Sequence, residues 1–263
     1  MDNSLYSLLD KTIFIDSSII SNSLFTSLFY APYGISNIIN SLLLGFFIYY
    51  CFRLHFSSIL GIYTEKPHQF IFKSIIIILC TNNSIFICSE LLNINSIITD
   101  ILCSLGASIT GKEISFNSLI SSVPLNNFVD NYNIFSIEGL LKSFLSFGLI
   151  SLLFSYSIRY MLLKILIFLF PFSLLTLITP STSWIFKSWF RTFFSLLFVQ
   201  NFIVVILIFL FSLTVKSSNL FSQITYISTI FILTNANSYL KELIGGISTD
   251  INSNLLFLKN IHK

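Results

Sequence analysis

Hydrophobic residues in this chain fall in long blocks separated by short polar breaks, and charge is missing from whole stretches. No ionised side chain occurs between Asp16 and Arg53, Lys164 and Lys187, Arg191 and Lys216, or Lys216 and Lys241. About 20 residues at 1.5 Å rise cross a hydrocarbon core, so apolar runs of this length predict membrane-spanning helices. The blocks predict five of them, at residues 36–51, 70–92, 139–156, 161–178 and 192–213. The first closes on Tyr49, Tyr50 and Arg53, an aromatic and cationic interfacial anchor. The fourth holds Pro171, which lacks the N–H for an i→i−4 bond and should kink its helix.

The remaining segments are mixed. Residues 1–33 carry apolar clusters broken by Ser, Asn and Asp, and read as an amphipathic segment lying on the membrane, closed by Pro32 and Gly34. Residues 34–214 form the transmembrane bundle. Within it, residues 93–136, rich in Ser and Asn with Gly106, Gly111 and Pro124, read as the largest extramembrane loop, with room for a short helix near Ile97–Leu105. Residues 215–263 read as an interfacial or re-entrant segment followed by a tail. The expected fold is an all-α integral membrane protein, a bundle of about five transmembrane helices with interfacial N- and C-terminal helical segments.

Composition strengthens this reading. Of 263 residues, 54% are hydrophobic and 10% charged, where soluble domains carry roughly 25% charge. A globule of this composition could not cover itself with polar side chains. Met1-Asp2-Asn3 opens acidic, unlike the basic start of a signal peptide. Cys51, Cys80, Cys88 and Cys103 form no CxxC pair and say nothing about redox compartment. With the N-terminus outside and five crossings, Lys and Arg divide nine to the inside and five to the outside. That bias predicts a cytoplasmic C-terminus.

No grouping of catalytic type stands out, and the chain reads as a non-enzyme. His55, His68 and His262 lack the spacing of metal ligands, so no metal and no cofactor is expected. P-loop, GxGxxG and GxSxG patterns are missing. Polar residues within spans are the candidates for a bundle interior or a passage lining: Asn82, Asn83, Glu90, Arg159, Lys164, Gln200 and Asn201. The simpler reading of Arg159 and Lys164 has them flank a turn between the third and fourth spans and snorkel to the interface. For Gln200 and Asn201 it is hydrogen bonding between helices. The stretch Cys80-Thr81-Asn82-Asn83-Ser84 is polar for the middle of a span, so one face there should be buried in protein.

Four blocks in order carry a family likeness: Ser157-Ile-Arg-Tyr; Pro171-Phe-Ser-Leu-Leu-Thr-Leu-Ile; Trp184 with Lys187-Ser-Trp189-Phe-Arg191; and Leu196-Leu-Phe-Val-Gln200. Together with Glu65-Lys-Pro67 and Glu242-Leu-Ile-Gly-Gly246, this order resembles the TrbL-type polytopic membrane subunit of conjugative type IV secretion systems, in its short Gram-positive form. The likeness covers roughly residues 10–250. It implies a core component of a DNA-transfer channel in the cytoplasmic membrane. Such a component is surrounded by lipid and works with copies of itself, other channel subunits and a cytoplasmic ATPase. Single-stranded DNA or a relaxase–DNA conjugate would pass. The competing reading is a small-molecule transporter or permease subunit, which would be expected to show paired broken helices. A third, an organellar respiratory or ATP-synthase subunit, lacks a histidine in any predicted span.

Overall fold

The computed structural model describes residues 3–20, 27–29, 34–61, 66–116, 118, 137–214 and 220–244. Among them the structure is helical, with no strand: α1 (Asn3–Ile13), a 3-10 turn (Ser17–Ile19), α2 (Ile35–Leu60), α3 (Pro67–Asn82), α4 (Ser84–Thr110), α5 (Ile137–Leu175), α6 (Ser183–Thr214), α7 (Leu220–Thr234) and α8 (Ala236–Ile244). Pro32, Glu65, most of the loop beyond Phe116, Gly245-Gly246 and the tail lie outside the described residues.

Helix ends follow local chemistry. Pro67 opens α3, where its missing N–H costs nothing. Gly61 ends α2 with φ 64°, and Gly111 follows α4 with φ 68°. This left-handed conformation suits glycine and lets the chain leave a helix. Gly111 N–H returns to Ala107 O at 2.8 Å.

Among the described residues four helices are long and apolar enough to cross a membrane, over Ile35–Ser57, Ser84–Thr110, Ser146–Leu175 and Ser183–Ser212. Their boundaries depart from the sequence expectation in three places. The expected second span breaks at Asn83, and the membrane-length helix starts at Ser84. It then continues through the segment expected to be a loop from Asn93, ending only at Thr110. The expected third and fourth spans are one helix of 39 residues with no turn at Arg159. No Gly or Pro interrupts the chain between Gly148 and Pro171, so nothing local stops α5. At 1.5 Å per residue it is about 58 Å long, well beyond a hydrocarbon core of ~30 Å. It runs through Pro171 and ends one turn later, where Thr176, Leu177 and Ile178 make tighter i→i−3 bonds.

The chain divides into two compact units, and α4, α5 and α6 each give a segment to both. The first comprises Met1–Asp16, Leu92–Leu163 and Arg191–Lys263. Its core joins Leu9 and Ile13 of α1, Leu149, Leu152 and Tyr156 of α5, Ile203, Leu207 and Phe211 of α6, and Ile230 and Leu233 of α7. Leu9 and Ile13 are fully buried, so the apolar face of α1 packs on protein, where the sequence expectation had it resting on lipid. The second comprises Ser17–Leu91 and Lys164–Phe190. It packs Phe29, Ile35, Ile39, Phe70, Ile77, Leu175 and Ile178 together. Within it Tyr50 stacks on Phe70 at 3.6 Å between ring centroids, and Trp189 gives its indole N–H to Leu166 O at 2.9 Å.

Candidate functional site

Arg159 sits on α5 with no exposed surface. A lone guanidinium removed from water is costly unless its protons are taken up. Its Nε donates to Leu196 O at 2.9 Å and its Nη1 to Ile13 O at 3.1 Å. Nη2 has no partner among the described residues. Ile13 O belongs to the last turn of α1, where carbonyls lack helical partners and carry the negative end of the helix dipole. Arg159 therefore caps α1 and fastens it to α5 and α6. One turn earlier, the Tyr156 hydroxyl donates to Leu233 O at 2.7 Å and ties in α7.

Beside this clasp lies a chain of side-chain amides. Asn201 Nδ2 donates to Asn95 Oδ1 at 2.9 Å, and Thr99 Oγ1 donates to Asn201 Oδ1 at 2.8 Å. Gln200 Oε1 accepts from Ile15 N–H at 3.1 Å and, at 3.4 Å, from Asn95 Nδ2. All four side chains are buried. The geometry needs two pairs: Gln200 and Asn201 adjacent on α6, and Asn95 and Thr99 one turn apart on α4. Each bond of this kind contributes roughly 0.6–2 kcal/mol within a membrane bundle.

A cavity of about 680 Å³ opens above this cluster, with Gln200 and Thr99 in its wall. Ser96, Thr99, Asp100, Cys103, Ser104 and Ala107 line it from one face of α4, at three- and four-residue spacing. Asp10, Asp16, Asp100 and Glu113 supply four carboxylates, and no Lys, Arg or His is in the lining. Phe116 N–H donates to Asp10 Oδ1 at 3.0 Å and holds the segment after α4 against α1. Among the described residues no three His, Cys, Asp or Glu side chains come close enough to hold a metal ion.

The structure thus brings together Arg159, Gln200 and Asn201 inside the first unit. Lys164 is half-buried in the second, and Asn82, Asn83 and Glu90 are exposed there. Pro171 is buried near the end of α5. Asn95, Thr99, Asp10, Asp100 and Glu113 were not singled out by sequence. The signal for Asn95 and Thr99 was their i,i+4 spacing in a stretch free of Gly and Pro. Nothing local tied Asp10 or Glu113 to that face. Comparisons with protein-family models, with curated proteins and with solved structures found no match.

Proposed function

We propose that this chain is a polytopic subunit of a conjugative type IV secretion apparatus of the TrbL type, a scaffold of the translocation channel that does no bond chemistry. The observation that supports it most is the meeting of the residue blocks that carry the family likeness. Arg159 of the Ser157–Tyr160 block bonds the carbonyl of Leu196, the first residue of the Leu196–Gln200 block. Gln200, the last residue of that block, takes the backbone N–H of Ile15. These polar side chains hold helices to one another, which is the work expected of a scaffold residue. The acidic cavity would repel a phosphate backbone, so the path for DNA belongs between this subunit and its neighbours.

In this reading the protein lies in the cytoplasmic membrane among lipids, with its N-terminus outside and C-terminus inside. It works beside copies of itself, other channel subunits and a cytoplasmic ATPase. That orientation requires an odd number of crossings, one more than the four membrane-length helices. A cysteine placed at Lys259 that reacts with an impermeant maleimide in intact cells would reverse it. Deleting the gene in a donor should abolish transfer of DNA while nicking of the transferred strand continues, and complementation should restore transfer. The transporter reading is favoured by one feature, the acidic cavity that reaches the buried amides. Normal transfer from the deletion strain with loss of uptake of a cationic solute would decide for it.

A further inference from the structure

The polar stretch Cys80–Ser84 is where the expected second span breaks. α3 ends at Asn82, Asn83 takes φ −99° and ψ 18°, and α4 starts at Ser84. Asn83 secures the break by giving both its backbone N–H, at 3.2 Å, and its side-chain Nδ2, at 2.9 Å, to Leu79 O. Asn83 O in turn takes the N–H of Ile87 at 2.9 Å, so the backbone stays paired through Asn83. Beside it lies a small cavity within the second unit, about 10 Å³ in volume, room for one water-sized particle. Its lining is Phe29, Ser36, Ile39, Thr81, Asn82 and Ser84. Thr81 is 6% exposed, and its Oγ1 has no hydrogen-bond partner among the described residues. It is therefore not bonded to Ser36, Asn82 or Ser84, although all four line the same space. A buried hydroxyl left unpaired costs free energy, so the space is built to be filled.

We propose that this cavity is a site for one small monovalent cation, sodium being the ion whose size suits it. The side-chain oxygens of Ser36, Thr81, Asn82 and Ser84 are its ligands. Hard cations take oxygen ligands, and the polar lining here offers three hydroxyls and a carboxamide. Where membrane helices are interrupted, oxygens at the break can hold Na⁺. A buried hydroxyl left unbonded in a polar-lined space, as Thr81 Oγ1 is among the described residues, suits a ligand to a positive centre. Phe29 and Ile39 supply the apolar part of the lining. The site stands apart from the conjugation reading and from the acidic cavity of the first unit.

The test uses the full chain in lipid nanodiscs, melted in NaCl, KCl or choline chloride at constant ionic strength and followed by tryptophan fluorescence. Binding to the folded state alone raises the folding equilibrium constant about 100-fold at a hundredfold excess of ion over its dissociation constant. The melting temperature should rise with Na⁺ to saturation, and not with K⁺ or choline. Thr81→Val keeps the side-chain shape, removes the hydroxyl and should abolish the Na⁺ response. Ser108→Ala, on an exposed hydroxyl of α4, should keep it. Should Thr81→Val not fold, Ser36→Ala must weaken the response at least tenfold in Na⁺ concentration. A parent protein whose melting is the same in Na⁺ and choline would overturn the proposal. So would a Thr81→Val protein that is less stable but responds to Na⁺ unchanged. A site that holds only water would give stability losses with no dependence on the ion.

Discussion

Replacing Arg159 by methionine removes a buried cation while keeping much of the side-chain volume. Two hydrogen bonds from a charged donor disappear, to Leu196 O and Ile13 O, each contributing about 1.5–3 kcal/mol. Against this, a guanidinium that among the described residues bonds backbone carbonyls alone, with Nη2 unpartnered there, no longer has to be stripped of water. That desolvation is several kcal/mol per ion. The two effects are of similar size, so the global melting temperature should move little. Their distribution in space differs. The loss falls on Ile13 O, the point where α1 is held, so the docked state of α1 should weaken by the value of one bond. At 1.36 kcal/mol per tenfold, 1.5–3 kcal/mol raises the detached population of α1 about 10- to 150-fold. Amide hydrogen exchange over residues 9–13 in nanodiscs reads this directly. A second reading is the modification rate of a cysteine at Leu9 in a background free of native cysteines. Unchanged exchange and labelling in Arg159→Met would refute the view that Arg159 holds α1 in place.

Three further changes test other contacts. Gly106→Ala would put a methyl 2.6 Å from Ile208 Cγ1 and 2.8 Å from Ile114 Cγ1. Thermal unfolding should show a loss of about 1–3 kcal/mol, partly restored by Ile208→Ala, which removes Cγ1, and no loss would mean the close approach is not maintained. Asn201→Leu leaves Asn95 Oδ1 without its donor, while the Thr99 hydroxyl keeps Asn95 O at 2.9 Å. It should cost about 1–2 kcal/mol, and combining it with Asn95→Leu should cost less than the two separately, so strict additivity in denaturant unfolding would break the proposed amide chain. Pro171→Ala supplies the N–H missing from α5. Insertion and expression should be unaffected while transfer in a mating assay falls, and a variant that transfers normally would make the proline incidental.

Apolar blocks of membrane length are a property of composition along the chain, so the sequence by itself determined that this is a helical protein with several membrane-length helices. The blocks around residues 36–51 and 192–213 lie inside α2 and α6 because neighbouring residues alone decide them. The end of α2 at Gly61 and the start of α3 at Pro67 fall outside the expected spans 36–51 and 70–92, although a glycine and a proline mark them. Tertiary structure decided what polar residues do inside those helices. Arg159 looked like the edge of a span because a charge in an apolar run is costly. It is interior because carbonyls from α1 and α6, 146 and 37 residues away in sequence, take up its protons. Asn95 fell in a loop expected from its Ser- and Asn-rich composition, and Thr99 in the short helix that loop had room for; both lie in one long helix whose polar side chains Gln200 and Asn201 face. Whether a polar side chain ends a helix or joins two depends on a partner distant in the chain. Spacing along one segment carries no trace of that partner.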